Sequence, residues 1–279
     1  MIPFDFAYYR PASLQETVLV YAQLKNDNQY PYYYSGGSEI ITMSRAGSIR
    51  PDAVIDIKDI PECNVLEQKE GSLTIGAACT LSRIKESGLF PLLGLACGRI
   101  ADHTNQCRIT LGGNLCGTII YREASLPLLL SDADITLHGA QGQRTVPFHS
   151  VFDGQMNLLP GEFVVQVHIP LWALQANHVH IKHTTNEMID YPLVNITALW
   201  KENRMRIAFS GLVSGPFRDK QIETILNEHR TPITKRVKDA ADLLPQPPRN
   251  DVEGSGDYRI FVLKNTLRTL LEEYENGSV

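Results

Sequence analysis

The chain of 279 residues has no excess of positive charge, because 26 lysines and arginines stand against 31 aspartates and glutamates and the net charge is −5. A nucleic-acid backbone requires a concentrated basic face, so this balance argues against nucleic acid as a partner. Apolar runs long enough to cross a bilayer are also missing. The N-terminus lacks the basic start and apolar core of a secretory signal. We therefore expect a cytoplasmic protein with no nucleic-acid or membrane partner.

Cysteine is sparse, and no metal-binding pattern accompanies it. The five cysteines are widely spaced and form no C-x-x-C pair, which argues against a zinc site or a self-contained iron–sulfur cluster. His178, His180 and His183 alternate loosely on one predicted strand, but no carboxylate or cysteine stands at ligand spacing. We therefore predict reduced thiols and no metal site.

The usual nucleotide-binding and catalytic motifs are absent as well. Neither the G-x-G-x-x-G dinucleotide fingerprint nor the G-x-x-x-x-G-K-[ST] phosphate loop occurs. Their absence disfavours an ordinary Rossmann or ATPase fold. No convincing triad or acid–base pair stands out, so we assign no catalytic residue.

The chain consists of two parts with different patterns. The first begins as a β–α–β unit, with the strand YPYYY, a short helix ending at Gly47 and a strand over 52–57; further on it contains a predicted helix over 91–102. After a boundary at about residues 171–177, three strand-like runs precede three predicted helices. Strands followed by helices are typical of an α+β protein, and we predict a three-stranded sheet with helices in this second part.

Two glycine pairs stand beside predicted helices in the first part. We call residues 35–40 (SGGSEI) the first glycine corner and residues 110–114 (TLGGN) the second glycine corner. Glycine lets a ligand touch the backbone, and free amides at a helix start bind phosphate oxygens. Ser38, Thr110 and Asn114 add polar side chains. A single pair would indicate only a turn, but two similar corners favour a bound phosphate compound.

The two corners resemble the flavin loops of the FAD-binding subunits of molybdenum hydroxylases. SGGSEIITMSRAG is similar to the first loop, AGGTDL followed by a short helix, and TLGGN is similar to the second loop, TIGGN. Other family segments follow in the same order: an F-x-Y-x-RP-x-SL-x-E pattern at the N-terminus, LPGEFVVQVHIP, IKHTTNEMIDYPLVN and YRIFVLKNTLRTLL. The resemblance extends over essentially the whole chain.

The resemblance implies a particular fold. Residues 1–173 would form an FAD-binding domain of the vanillyl-alcohol-oxidase (PCMH) type, with α/β subdomains at about 1–57 and 58–173. Residues 178–279 would form a small C-terminal α+β domain of the kind found in carbon monoxide dehydrogenase flavoproteins.

The resemblance also implies an activity and partners. The chain would be an oxidoreductase subunit of a xanthine dehydrogenase-like enzyme with FAD as its cofactor. A large subunit would hold the molybdenum cofactor and hydroxylate the substrate, and a small subunit would hold [2Fe–2S] clusters. Electrons would pass from those clusters through FAD to NAD⁺ or another acceptor. Purines are the first substrate class to consider, before nicotinate-type heterocycles and aldehydes.

Matching positions give the expected cofactor-binding residues. The amides of the first corner and the Ser38 hydroxyl would contact the FAD diphosphate, the second corner would match the second flavin loop, and Lys182 would steady negative charge on the reduced ring. Tyr191 would pack on the ring; alternatively, it is a core tyrosine, and Lys182 is a solvated strand lysine. The full set is Ser35, Gly36, Gly37, Ser38, Glu39, Ile40, Thr110, Leu111, Gly112, Gly113, Asn114, Ser125, Val164, Lys182, Asp190 and Tyr191.

The sequence departs from the family before and after the second corner. Relatives usually read Arg-Asn-x-Gly-Thr where this chain has Gln106 to Thr110, so that Gln106 replaces the arginine and Ile109 the glycine. Ser125 stands where relatives carry an aspartate before the next helix. These changes leave two alternatives open: an FAD-free structural or assembly subunit of the same kind of complex, and a standalone flavin oxidase.

Overall fold

A three-stranded parallel sheet opens the chain and leads into the first corner. The computed structural model describes residues 2–69, 71–185 and 189–277. The sheet has the order β1-β3-β2, and Leu24 and neighbouring residues of the first helix pack against it. Its elements are β1 (Ala7–Tyr9), α1 (Leu14–Asn26), β2 (Pro31–Tyr34), α2 (Ser38–Ala46) and β3 (Ala53–Asp56). The predicted β–α–β unit is therefore present as β2–α2–β3, with the first corner joining β2 to α2.

A five-stranded antiparallel sheet of order β4-β5-β8-β6-β7 forms the next part. Short helices pack with it around the largest apolar core. The elements are β4 (Leu66–Lys69), β5 (Ser72–Gly76), α3 (Leu81–Ser87), α4 (Pro91–Cys97), α5 (His103–Gln106), α6 (Leu111–Cys116), α7 (Ser125–Leu130), β6 (Asp134–Gly139), β7 (Gly142–Pro147), β8 (Phe163–Pro170) and α8 (Leu171–Leu174), with 3₁₀ turns at Pro61–Asn64 and Phe148–Ser150.

The helix predicted over 91–102 is wrong at its C-terminal end. The observed helix α4 stops at Cys97. Gly98 caps it, and Ala101 has a left-handed φ of 54° that a continuing helix cannot accommodate. Asp102 then caps the separate short helix α5, its side chain accepting a hydrogen bond from the Asn105 amide.

The last part is a sheet covered by helices, as predicted, and its strands run antiparallel. The three predicted strands are present, and a two-residue strand extends them to the order β12-β11-β10-β9. Apolar side chains of the sheet and the helices form a second core. The elements are β9 (His178–Thr184), β10 (Pro192–Lys201), β11 (Arg204–Ser210), β12 (Phe217–Arg218), α9 (Lys220–Leu226), α10 (Ile233–Asp242) and α11 (Gly256–Glu275).

Helices of the middle part connect it to this last sheet. Helix α4 contacts β9, and α7 contacts β10 and β11. The segment between the second corner and α7 therefore lies close to the last sheet. Within the described ranges, no helix combines the length and the apolar character required to span a bilayer.

Candidate functional site

The first glycine corner packs directly against the chain that leads into the second. A Cβ on Gly36 would lie 1.9 Å from the Arg108 carbonyl oxygen and 3.3 Å from the Thr110 amide nitrogen. Only glycine fits at this distance because both neighbours are backbone atoms. Gly37 then takes a left-handed φ of 72° and forms the N-cap of α2. The glycines predict that another group lies close to the backbone here. At Gly36, that group is the backbone of Arg108 and Thr110.

The first corner presents unmatched hydrogen-bond donors. The α2 ladder begins with the Ile41 amide donating to the Gly37 carbonyl, and Gly37 provides no side-chain cap. The amides of residues 36–40 consequently have no acceptor in the part of the chain that the structure describes. The buried hydroxyls of Ser35 and Ser38 also lack a partner there. A diphosphate would satisfy both kinds of donor, so these residues fit the phosphate portion of FAD.

The second glycine corner does not expose its amides in the same way. Thr110 caps the six-residue helix α6, its hydroxyl accepting from the Gly113 amide at 3.3 Å. The amides of Leu111, Gly112 and Asn114 donate to Cys79, Ala77 and Thr110 carbonyls, each at 2.9 Å. These four amides are already used within the protein, so the expectation that both corners offer free amides is wrong for the second.

Close packing explains a glycine at position 112. A Cβ there would lie 2.8 Å from the Ala77 Cβ and 3.1 Å from the Ala77 carbonyl oxygen. Gly112 therefore allows the first turn of α6 to lie against the chain that follows β5. Its observed role is structural, and contact of the second corner with the cofactor stays a prediction.

Both corners nevertheless border one cavity of about 280 Å³. This volume is near the lower end of ligand pockets, roughly 300–1,000 Å³. The lining includes Ser35, Gly36 and Thr110 from the corners and two cationic residues, Lys58 and Arg108. An anionic group placed here would meet Ser35 and the Gly36 amide of the first corner together with positive charge.

Glu39 links α2 to the segment that follows the second corner. Its Oε1 accepts hydrogen bonds from the Thr118 amide at 2.5 Å and the Thr118 hydroxyl at 2.6 Å. A Cβ on Gly117 would lie 2.5 Å from Glu39 Oε2, so Gly117 leaves room for this carboxylate. The carboxylate therefore acts between protein segments, and direct contact of Glu39 with the cofactor stays a prediction.

The other predicted residues of the middle part are more deeply placed. Asn114 Oδ1 accepts from the Ala124 amide at 3.2 Å, which ties the second corner to the start of α7. Ser125 is fully buried, and its hydroxyl has no partner among the described residues. Val164 is 4% exposed and belongs to the core of the five-stranded sheet. Ile40 belongs to the first corner instead, and it is half-buried beside Glu39 in the first turn of α2.

Lys182 forms a buried ion pair that the sequence did not reveal. Its Nζ lies 3.0 Å from Glu123 Oε1 and 2.7 Å from the Arg99 carbonyl oxygen. Asn195 donates to Glu123 at 2.8 Å. Burial raises the pKa of Glu123, while the Lys182 ammonium acts in the opposite direction. A solvated lysine is thus ruled out, and contact with a flavin ring stays a prediction.

No motif marks Glu123, the acid of this pair. Glu123 lies in YREASLPLLL, where a carboxylate enters an otherwise apolar run. A charged residue at the edge of a buried helix usually has a buried partner. That signal could have identified Glu123, although not Lys182 as the partner.

Tyr191 stacks on Tyr121, with ring centroids 4.8 Å apart. It remains 47% exposed, so it is not a core tyrosine. Asp190 precedes it and accepts a hydrogen bond from its amide at 2.7 Å. Residues 186–188 of the resembling segment lie outside the described residues. Packing of Tyr191 on a flavin ring stays a prediction.

The residues that depart from the family pattern have structural roles. Gln106 is buried, and its amide group donates to the carbonyl oxygens of Gly98 at 3.2 Å and Ala101 at 2.9 Å. It thereby closes the turn between α4 and α5. The Ile109 carbonyl accepts from the Leu81 amide at 2.9 Å, and its side chain packs against the core. Both residues therefore support the chain that leads into the second corner.

The three histidines of β9 have separate partners. His178 pairs with the Ala176 carbonyl, His180 with the Thr197 hydroxyl and His183 with the Thr266 hydroxyl. Across the described ranges, no group of three or more potential ligands is arranged to hold a metal ion.

His180 makes stability depend on pH. Burial, together with the charges of Arg99 and Lys182, lowers its pKa from 6.5 to about 4. Folding therefore favours the neutral ring, and this contribution is lost as the pH falls from about 6.5 towards 4. We expect the unfolding free energy to decrease by at most about 3 kcal/mol over this range in denaturant titrations.

His180→Gln is expected to flatten that pH dependence, whereas His149→Gln, which replaces an exposed histidine, should keep the wild-type profile. Equal pH profiles for wild type and His180→Gln would show that another group is responsible.

Comparison with known proteins agrees with this geometry. Residues 4–172 match the family model described as the FAD binding domain in molybdopterin dehydrogenase. The match includes both glycine corners and more than half of the chain. This chain belongs to that family. FAD is accordingly the cofactor of this flavoprotein, and the chain is an oxidoreductase subunit of the molybdenum hydroxylase type.

Relatives and solved structures of this family extend the similarity beyond residue 172. The flavoprotein is 26% identical over 277 residues to the glyceraldehyde dehydrogenase medium chain of Sulfolobus acidocaldarius, with 95% of this chain and 96% of the relative covered. It is 30% identical over 179 residues to the carbon monoxide dehydrogenase medium chain of Hydrogenophaga pseudoflava, which covers 62% of this chain and 61% of the relative. Quinoline 2-oxidoreductase from Pseudomonas putida 86 shares the fold, with a TM-score of 0.84, 23% identity and coverage of 99% and 98%. The predicted fold is thereby confirmed.

Proposed function

We propose that this flavoprotein takes electrons from [2Fe–2S] clusters of a small partner subunit and passes them through FAD to NAD⁺ or another acceptor. Iron–sulfur clusters transfer single electrons, NAD⁺ accepts a hydride, and bound FAD supplies the exchange between these two modes. A large subunit with the molybdenum cofactor would oxidise the substrate. The relatives named medium chain support an assembly of this kind.

The observation that carries the proposal is the shared cavity of the two corners. Unmatched amides at residues 36–40 and the hydroxyls of Ser35 and Ser38 would bind and orient the diphosphate. Gly36 would hold this corner against the second one by its contact with Arg108. The residues of this chain thus position the cofactor, while no side chain is assigned to bond making or breaking.

Lys182, Glu123 and Tyr191 lie on or next to the last sheet and are the proposed ring-side residues. The buried ion pair between Lys182 and Glu123 would place fixed charges near the ring. Tyr191 stacks on Tyr121 and is half-exposed, so its ring would pack against the flavin ring.

The proposed substrate class is a purine, oxidised on the large subunit, as in the family that the sequence resembles. The similar proteins described above are named for an aldehyde, carbon monoxide and the heterocycle quinoline. Nicotinate-type heterocycles and aldehydes are therefore the next classes to assay. Domain boundaries at 173 and 178, with subdomains at about 1–57 and 58–173, are proposed with this arrangement.

The test begins with the visible spectrum of the purified chain. We expect flavin bands near ~450 nm, either as isolated or after incubation with FAD, that disappear on reduction by dithionite. In the native host, two further chains, molybdenum and iron should co-purify with a tagged copy. Hypoxanthine or xanthine should then reduce the flavin of that complex, and NAD⁺ should reoxidise it.

Three other outcomes would each favour a different interpretation. A colourless chain that takes up no FAD but co-purifies with the two partners would favour the structural subunit. A yellow chain that oxidises substrate without partners would favour the standalone oxidase. FAD bands with partners but without reoxidation by NAD⁺ would retain the electron-transfer role and assign it to another acceptor.

A further inference from the structure

The charge of the FAD diphosphate needs a partner that the corners alone do not supply. The first corner offers amides and hydroxyls, which are neutral donors. The four amides of Leu111–Asn114 already donate within the protein. Hydrogen bonds from charged donors to phosphate are stronger than those from neutral donors, so a cation beside the cavity would contribute strongly to affinity.

Lys58 lines the cavity but is already neutralised. Its Nζ lies 2.8 Å from the buried Asp56 carboxylate and 3.1 Å from the Ser35 carbonyl oxygen, and 4.6 Å from the centre of the Tyr34 ring. Asp56 also accepts the Tyr8 hydroxyl. Because Lys58 and Asp56 form an ion pair, together they add little net charge to the cavity.

Arg108 is the cation that remains available. It lines the same cavity, and its side chain is exposed. Within the described residues, its guanidinium has no hydrogen bond, ion pair or aromatic partner. Its backbone, in contrast, is held by contacts of both its amide and its carbonyl group. The Arg108 amide donates to the Asn105 carbonyl at 2.9 Å, and its carbonyl lies against Gly36. The side chain is thus anchored at the wall of the cavity with its donors unused.

We propose that Arg108 binds the diphosphate of FAD and takes the place of the backbone donors that the second corner lacks. The planar guanidinium can donate two parallel hydrogen bonds to phosphate oxygens. The resembling family motif Arg-Asn-x-Gly-Thr leaves this position unspecified. The inference rests on the proposed function, because it assigns a further binding residue to the same cofactor.

The test compares Arg108→Gln with Arg268→Gln, which removes the same charge from an exposed position on α11. Each full-length chain is freed of flavin and titrated with FAD, following the quenching of flavin fluorescence. We expect the dissociation constant of Arg108→Gln to rise about tenfold, since a hydrogen bond to a charged group is lost. Arg268→Gln should stay within about threefold of wild type. Arg108→Lys should fall between wild type and Arg108→Gln, because lysine keeps the charge but cannot donate two parallel hydrogen bonds.

Salt provides a second readout that a merely structural effect would not change. Wild-type affinity for FAD should weaken as the ionic strength increases, and Arg108→Gln should show a shallower dependence. An unchanged FAD affinity and salt dependence in Arg108→Gln would overturn the role of Arg108 and leave the proposed function standing. A wild-type chain that binds no FAD would instead reject the proposed function, and this inference with it.

Discussion

Replacing Gly36 with alanine is expected to weaken FAD binding by roughly tenfold to a hundredfold. The new Cβ would lie 1.9 Å from the Arg108 carbonyl oxygen and 2.9 Å from its carbonyl carbon. Neither atom can rotate away, so the two corners must separate, at a cost of about 1–3 kcal/mol. FAD titration of the full-length chain measures the loss of affinity, and denaturant unfolding measures the strain that remains without cofactor.

Gly94→Ala is the matched control for this substitution. Gly94 lies in α4, and the nearest atom to its added Cβ is the Lys85 Cα at 3.6 Å, an ordinary contact. Alanine there should leave FAD affinity unchanged and keep or raise stability, because alanine favours helices over glycine by about 1 kcal/mol. If Gly36→Ala bound FAD as tightly as Gly94→Ala, the corners would not depend on this contact.

The structure shows which parts of the site followed from local sequence. The first corner was predictable because a strand, two glycines and a helix start occur within a few residues, and the structure places them so. The hairpin between β6 and β7 likewise turns at a glycine, Gly142, which has a left-handed φ of 93°. In both cases, the residues that indicate the turn lie within one short segment of the sequence.

The remaining features depend on contacts between distant segments. The amides of Leu111 and Gly112 are used by carbonyls of residues 79 and 77, beyond β5, and no pattern within TLGGN indicates this. Strands β1 and β4, with three and four residues, were not predicted. The partners Glu123 and Lys182 are 59 residues apart. Only the folded chain reveals such pairs.

Lys182→Met is expected to lower the unfolding free energy by about 3–5 kcal/mol, because it leaves the Glu123 carboxylate buried without its ammonium partner. Replacing both residues, as in Glu123→Leu with Lys182→Met, should recover most of that loss, since an apolar pair carries no desolvation cost. Lys238→Met, which breaks the exposed pair with Asp242, should change stability by less than about 0.5 kcal/mol. Denaturant unfolding of wild type, the two single variants Glu123→Leu and Lys182→Met and the double variant gives the coupling between Glu123 and Lys182, and additive losses would contradict a buried pair.

The pH dependence of the single variant has a defined sign. Burial already raises the pKa of Glu123, and loss of Lys182 removes the charge that opposes this effect. With its folded-state pKa raised, the protonated carboxyl is favoured by folding, so stability decreases as the pH rises through that value. The deficit of Lys182→Met relative to wild type should therefore be smallest at acid pH. A deficit independent of pH would mean that lost packing, rather than the buried charge, causes it.

The same variants separate the two roles of Lys182 that the sequence leaves open. If the lysine only supports the fold, the double replacement should restore FAD affinity together with stability. If its ammonium also steadies negative charge on the reduced ring, the double variant should bind reduced flavin less well, relative to oxidised flavin, than Glu123→Leu, which keeps the ammonium. The flavin reduction potential of the double variant would then be lower than that of Glu123→Leu, because a nearby positive charge favours the reduced, negatively charged ring. Equal potentials in these two variants would restrict Lys182 to its structural pairing with Glu123.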